Sequence, residues 1–146
     1  MQDHVRARQP AHLWIVGGLA TLWTAFGCYD YLMTQTRNQA YLAMYGPDVM
    51  AYFESFPAWA VALWALGVWG ALAGSLLLLA RSRHAVILYA VSIAGLLVTT
   101  IYQFVMTSPP QSLTTPGMTV MMIVIWVIAL GLLAYARAMR AKGVLR

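Results

Sequence analysis

Residues 85–136 contain no charged side chain. That stretch is too long for one crossing of a bilayer, whose hydrocarbon core of about 30 Å takes roughly 20 apolar residues as a helix. Ser108-Pro109-Pro110 and Thr115-Pro116-Gly117 interrupt it, and proline and glycine at those points break a helix. The pattern therefore predicts two spans here, at about 84–107 and 118–138. Two more apolar segments of similar length lie at about 12–33 and 57–80. The apolar runs are continuous rather than alternating, which argues for helices and against a β-barrel. The expected fold is all-α: an integral membrane four-helix bundle formed by residues 1–146 as a single transmembrane domain.

Composition agrees. Hydrophobic residues make up 62% of the chain and charged residues 9%, against about 25% charged in an ordinary soluble domain. The net charge of +5 does not form the continuous basic face that a nucleic-acid partner requires. Instead the basic residues flank the apolar runs: Arg6 and Arg8 before the first span, Arg81 and Arg83 between the second and third, and Arg137, Arg140, Lys142 and Arg146 after the fourth. Only Arg37 falls between the first and second spans. With four spans, all but Arg37 lie on one side, and the positive-inside rule makes that side cytoplasmic, with both termini. The first apolar stretch is too long for a secretory h-region and lacks a small-x-small cleavage site, so it is expected to be a retained helix.

The outer loop between the first two spans is expected to be helical. No glycine or proline interrupts residues 34–45, which predicts that the first helix runs on past the membrane. Gly46-Pro47-Asp48 reads as a turn, with Asp48 as the N-cap of a short interfacial helix to about Glu54. Pro57 suits the first turn of the second span.

Few side chains could carry chemistry. Asp30 is the one acidic residue near a span, close to its outer end, and an ionisable group within a membrane segment is a candidate site. The third span carries Tyr89, Ser92, Thr99 and Gln103 at helical spacing, with Thr100 adjacent. Counted along their helices, Asp30 and Gln103 reach similar depth, which allows a hydrogen bond if those helices touch. Arg37 and Glu54 can join from the outer loop. Asp30, Arg37, Glu54 and Gln103 are thus the candidate ligand or transport residues, and Tyr89, Ser92 and Thr99 read as a polar packing stripe.

Trp23, Trp69 and Trp126 fall nearer mid-membrane, as bulky packing groups or as the lining of a site for an apolar ligand such as a quinone. Gly17, Thr21, Thr24 and Cys28 form a small-residue face on the first span, as do Gly67, Gly70 and Gly74 on the second; such faces allow close helix approach. The lone Cys28 gives no disulfide or CxxC motif. His4, His12 and His84 lie at or beyond span ends, so neither haem nor zinc spacing is present. No phosphate-binding glycine loop or nucleophile elbow occurs. Neither a metal nor a cofactor is expected.

Residues 45–103 resemble the DoxX-like group of small four-helix bacterial inner-membrane proteins. The matching features are Phe56-Pro57-Ala58-Trp59 opening the second span, the glycines at 67, 70 and 74, Leu76-Leu77-Leu78-Leu79 meeting Arg81-Ser82-Arg83, and the apolar span that follows. The resemblance implies a location in the bacterial plasma membrane. That group often carries a glutamate before its glycine pair, where this chain has Val68, Trp69 and Gly70. Three functional readings follow. The leading one is a non-catalytic accessory or oligomerising membrane component, with lipid and a second copy or a larger complex as partners. The second is a small transporter, proton-linked or for sugars, using the outer polar cluster. The third is a quinone-binding oxidoreductase subunit.

Overall fold

The computed structural model describes residues 10–146; Arg6, Arg8 and His4 lie outside the described residues. The described residues are mostly helical, with no strand among them. Four helices are long and apolar enough to cross a membrane: α1 (Ala11–Gln35), α4 (Ala58–Leu79), α5 (His84–Ile101, continuing as a π-helical turn Tyr102–Met106) and α6 (Pro116–Ala141). Between α1 and α4 lie two short helices, α2 (Gln39–Leu42) and α3 (Pro47–Glu54). A single 3-10 turn, Gln111–Leu113, punctuates the link from α5 to α6.

α4 is the organising helix. It packs closely on both α1 and α5, whereas α6 packs on α5. The small residues explain the close approach. Ideal Cβ atoms built on Gly67 and Gly70 would lie 3.6 Å from the Ser92 and Leu88 carbonyls, and one on Gly74 would lie 3.1 Å from the Tyr89 ring. The facing Gly95 is tighter, at 2.7 Å from the Leu63 carbonyl. On the other side of α4, Gly17 lies under Leu79, Thr24 donates to Ser75 Oγ at 3.4 Å, and the Cys28 thiol donates to the Val68 carbonyl at 3.3 Å. Both small-residue faces therefore find their partners within the same chain.

The first helix does not run on to Tyr45. It stops at Gln35 because Arg37 adopts the left-handed conformation (φ 54°), and the amides of Arg37 and Asn38 turn back to the carbonyls of Thr34 and Met33. This is a Schellman closure. Asn38 then caps α2 by accepting from the Tyr41 amide. α3 begins two residues earlier than the sequence suggests: Pro47 holds its first position with Gly46 as N-cap, and Asp48 sits in the first turn. The proline lacks the amide hydrogen that would otherwise be unsatisfied there.

The same closure recurs twice at the opposite end of the bundle. Arg81 (φ 59°) ends α4, with its amide and that of Ser82 bonded to Leu78 and Leu77. Gly143 (φ 73°) ends α6, with its amide and that of Val144 bonded to Arg140 and Met139. The tail then doubles back along the α4–α5 turn. The Arg83 amide donates to the Arg146 carbonyl at 2.9 Å, and the Arg146 amide to the Arg81 carbonyl at 2.8 Å. Val144 and Leu145 are buried with Leu13, Leu78, Ala85, Ala136 and Met139, so this end of the bundle is sealed by the tail. Arg81, Arg83, Arg137, Arg140, Lys142 and Arg146 all belong to this end, while Arg37, Asp48 and Glu54 belong to the other.

Candidate functional site at the outer end

The end opposite the tail is closed by aromatic rings. Phe56 meets Tyr102 edge-on at 5.1 Å, Trp59 meets the same ring at 5.1 Å, and Tyr31 meets Trp64 at 5.0 Å. Phe53 stacks on Trp64 at 5.4 Å. Offset and edge-to-face pairs of this kind add roughly 0.5–1.5 kcal/mol each beyond area burial, so α3 is pinned on α4 and on the outer end of α5. The Tyr52 hydroxyl completes the fastening through Thr107 Oγ1 at 2.8 Å. Burial pushes the Tyr52 phenol up from its ordinary value, with the Thr107 bond working the other way.

Asp30, on the last turns of α1, accepts a hydrogen bond from the Tyr41 hydroxyl at 2.5 Å. Tyr41 comes from α2, which reaches back because the helix breaks at Arg37. Burial raises the Tyr41 phenol well above its ordinary value, and the Asp30 hydrogen bond and charge raise it further. The Asp30–Gln103 hydrogen bond anticipated from helix depth does not form. α1 and α5 both pack on α4 rather than on each other, and Gln103 sits half-buried on the π-helical turn, where its carbonyl accepts from Thr107.

Arg37 and Glu54 do meet, Nε to Oε1 at 3.5 Å, with side chains 69% and 42% exposed. They rim a cavity of about 190 Å³ whose walls include Thr34, Leu42, Phe53 and Phe56. A shallower depression of about 310 Å³ lies beside it, lined by Gln39, Leu42 and Met50 among others. Ligand pockets for drug-sized molecules run to about 300–1,000 Å³, so the rimmed cavity suits only a small solute. Asp30 stands one turn from its wall, below Thr34, whose hydroxyl donates to the Asp30 carbonyl. The outer end thus holds two polar pairs, Asp30 with Tyr41 and Arg37 with Glu54, of which the second lines the small cavity.

The polar side chains of the third span lie elsewhere. Tyr89, Ser92 and Thr99 are buried. The Tyr89 hydroxyl pairs with Ser75 Oγ at 2.9 Å, Ser92 donates to the Gly67 carbonyl at 2.5 Å, and Thr99 donates to Gly95 of its own helix at 2.7 Å. Each hydroxyl is satisfied in the α4–α5 seam or by its own helix, and none lines either cavity. Trp23 and Trp126 are half-buried and Trp69 is 42% exposed. They stand on α1, α6 and α4 and make no ring contact with one another. Among the described residues, no three of His, Cys, Asp and Glu come close enough to share a metal ion. Sequence reasoning missed Tyr41, because its role depends on the chain reversing at Arg37.

No family model matches the chain, and no curated protein or solved structure matches it.

Proposed function

We propose that the protein is a non-catalytic, multi-pass membrane component that works by assembling with other membrane subunits, either further copies of itself or a larger partner. The observation that carries this is the uneven burial of the four helices. Over their most apolar stretches α1 and α5 are each 28% buried and α4 is 22% buried, but α6 is only 6% buried. Its inward positions Met122, Ile125, Ala129, Leu132, Ala136 and Met139 follow a heptad rhythm, and its other faces expose Ile123, Val127 and Leu130. α6 meets α1 at the sealed end, where His12 Nδ1 and the Tyr135 hydroxyl lie 2.6 Å apart. Helix association in lipid comes from packing and interhelical hydrogen bonds rather than from hydrophobic exclusion. A helix packed along one seam therefore has a surface on which another can dock.

The reading carries the membrane assignment with it. On this reading the basic end, which holds both ends of the described chain, faces the cytoplasm, as the positive-inside rule supports, and the resemblance to DoxX-like proteins supports a bacterial inner membrane. The test is mass spectrometry of the full chain released from native nanodiscs. A homo-oligomer or a stoichiometric larger subunit is expected, and Val127→Trp should dissolve it. A monomer without a protein partner at native expression would overturn the reading.

One observation favours a second reading, transport or binding of a small solute: the cavity rimmed by Arg37 and Glu54, with Asp30 a turn away. Proteoliposome uptake of protons or sugars that Asp30→Asn abolishes would replace the first reading with this one.

A further inference from the structure

The sealed basic end gathers cations away from the acidic side chains of the described residues. Arg81 stands in the left-handed conformation, where a residue with a Cβ pays a conformational penalty that glycine would avoid. Its Nε donates to the Val144 carbonyl at 3.1 Å, while its Nη2 is buried without any hydrogen-bond partner. The two backbone bonds between the tail and the α4–α5 turn set Arg146 beside Arg81 and Arg83. The three acidic residues among those described, Asp30, Asp48 and Glu54, all belong to the opposite half of the chain's fold. Among the described residues the one ion pair is that of Arg37 with Glu54. Arg81 follows the last residue of α4 by two positions, and Arg83 immediately precedes α5. Their backbones therefore lie at the depth where a spanning helix leaves the hydrocarbon, which is the depth of lipid phosphates.

The Arg81 guanidinium, with one buried nitrogen that lacks a hydrogen-bond partner, is held by a tail carbonyl rather than by an acidic side chain. Burying a charged donor without a partner is costly, and arginine is the side chain best suited to a phosphate group. We propose that Arg83 and Arg146, drawn together by the folded-back tail and backed by Arg81, bind the phosphate of an anionic phospholipid headgroup. Arg83 and Arg146 are exposed and can contact the headgroup. Arg81 is the positioning residue: it holds the tail through Val144 and adds its field from behind.

The test uses the full chain in nanodiscs of phosphatidylcholine alone or mixed with phosphatidylglycerol, with retained lipid counted by native mass spectrometry. Wild type should retain phosphatidylglycerol preferentially. Arg83→Gln with Arg146→Gln should weaken that preference roughly thirtyfold, while Arg137→Gln with Arg140→Gln, equal in charge but away from the tail pairing, should leave it within about threefold. The thermal midpoint of each variant in phosphatidylcholine alone shows that it is folded, and Arg83→Lys with Arg146→Lys serves as a second pair that keeps the charge and should keep most of the preference. Equal loss in the two glutamine pairs would overturn the proposal in favour of diffuse surface charge. Equal retention of the two lipids by wild type would overturn it as well. Inorganic phosphate is the last arm: binding of free phosphate that persists without lipid, and that displaces phosphatidylglycerol, would overturn the lipid as the source.

Discussion

The Tyr41 hydroxyl donates to Asp30 Oδ1 at 2.5 Å, and this one bond ties the loop helix α2 to the outer turns of α1. A hydrogen bond to a charged group contributes about 1.5–3 kcal/mol. Tyr41→Phe should lower unfolding stability by about 2 kcal/mol, measured by thermal or denaturant unfolding in detergent. Asp30→Asn keeps an acceptor for Tyr41 and should cost less than half as much. Equal losses in the two variants would show that the Asp30 charge, rather than the Tyr41 bond, is what matters.

The same bond sets a pH dependence. An unfolded tyrosine ionises near 10, and Tyr41 ionises higher in the folded protein, chiefly through burial and then through Asp30. The neutral phenol is the form that folding favours. The stabilisation is therefore complete below about pH 10 and falls as pH climbs from there through the folded value. The wild-type midpoint should decline over that alkaline window more steeply than that of Tyr41→Phe. Parallel curves for the two proteins would refute the linkage.

Gly95 is the least replaceable glycine in the spanning helices. A Cβ there would stand 2.7 Å from the Leu63 carbonyl and 3.0 Å from the Gly67 amide nitrogen, and both are backbone atoms that cannot swing aside. Gly95→Ala must push α4 and α5 apart, and overpacking of this kind costs about 1–3 kcal/mol. Gly131→Ala, with open space around it, should be neutral or slightly stabilising. Gly17→Ala should fall between them, because its obstacle is the end of the Leu79 side chain. If Gly95→Ala and Gly131→Ala unfold alike, the α4–α5 seam has room for a methyl group.

The four long apolar helices, and the absence of strands among the described residues, were legible because lipid imposes length and internal hydrogen bonding on any crossing segment. Residues 85–136 leave no other reading once the prolines are placed. What was hidden depended on chain reversals that lack their usual signal. Gly143 announces its turn, but Arg37 and Arg81 occupy the same left-handed position without the glycine that marks it. The break after Gln35 redirected α2, so Tyr41 rather than Gln103 became the partner of Asp30. The pairing of Arg146 with Arg81 and Arg83 is a contact between distant segments that no local pattern encodes. Of the outer candidates, Arg37 and Glu54 could be linked from sequence because both sit in one loop.

The left-handed Arg37 makes a competing prediction about its own ion pair. An arginine at that backbone position costs about 1–2 kcal/mol relative to a right-handed one, whereas an exposed pair such as Arg37 with Glu54 contributes about 0–1 kcal/mol. Glycine at this position would relieve the strain and forfeit only the pair. Arg37→Gly should thus be neutral or stabilising by up to about 1 kcal/mol, and Arg37→Ala, which loses the pair and keeps the strain, should be the less stable of the two. Glu54→Gln should shift stability by less than about 1 kcal/mol. Unfolding of the three variants side by side separates the contributions. A clear loss in Arg37→Gly matched by an equal loss in Glu54→Gln would mean that the ion pair, and not the backbone turn, holds the rim of the outer cavity in place.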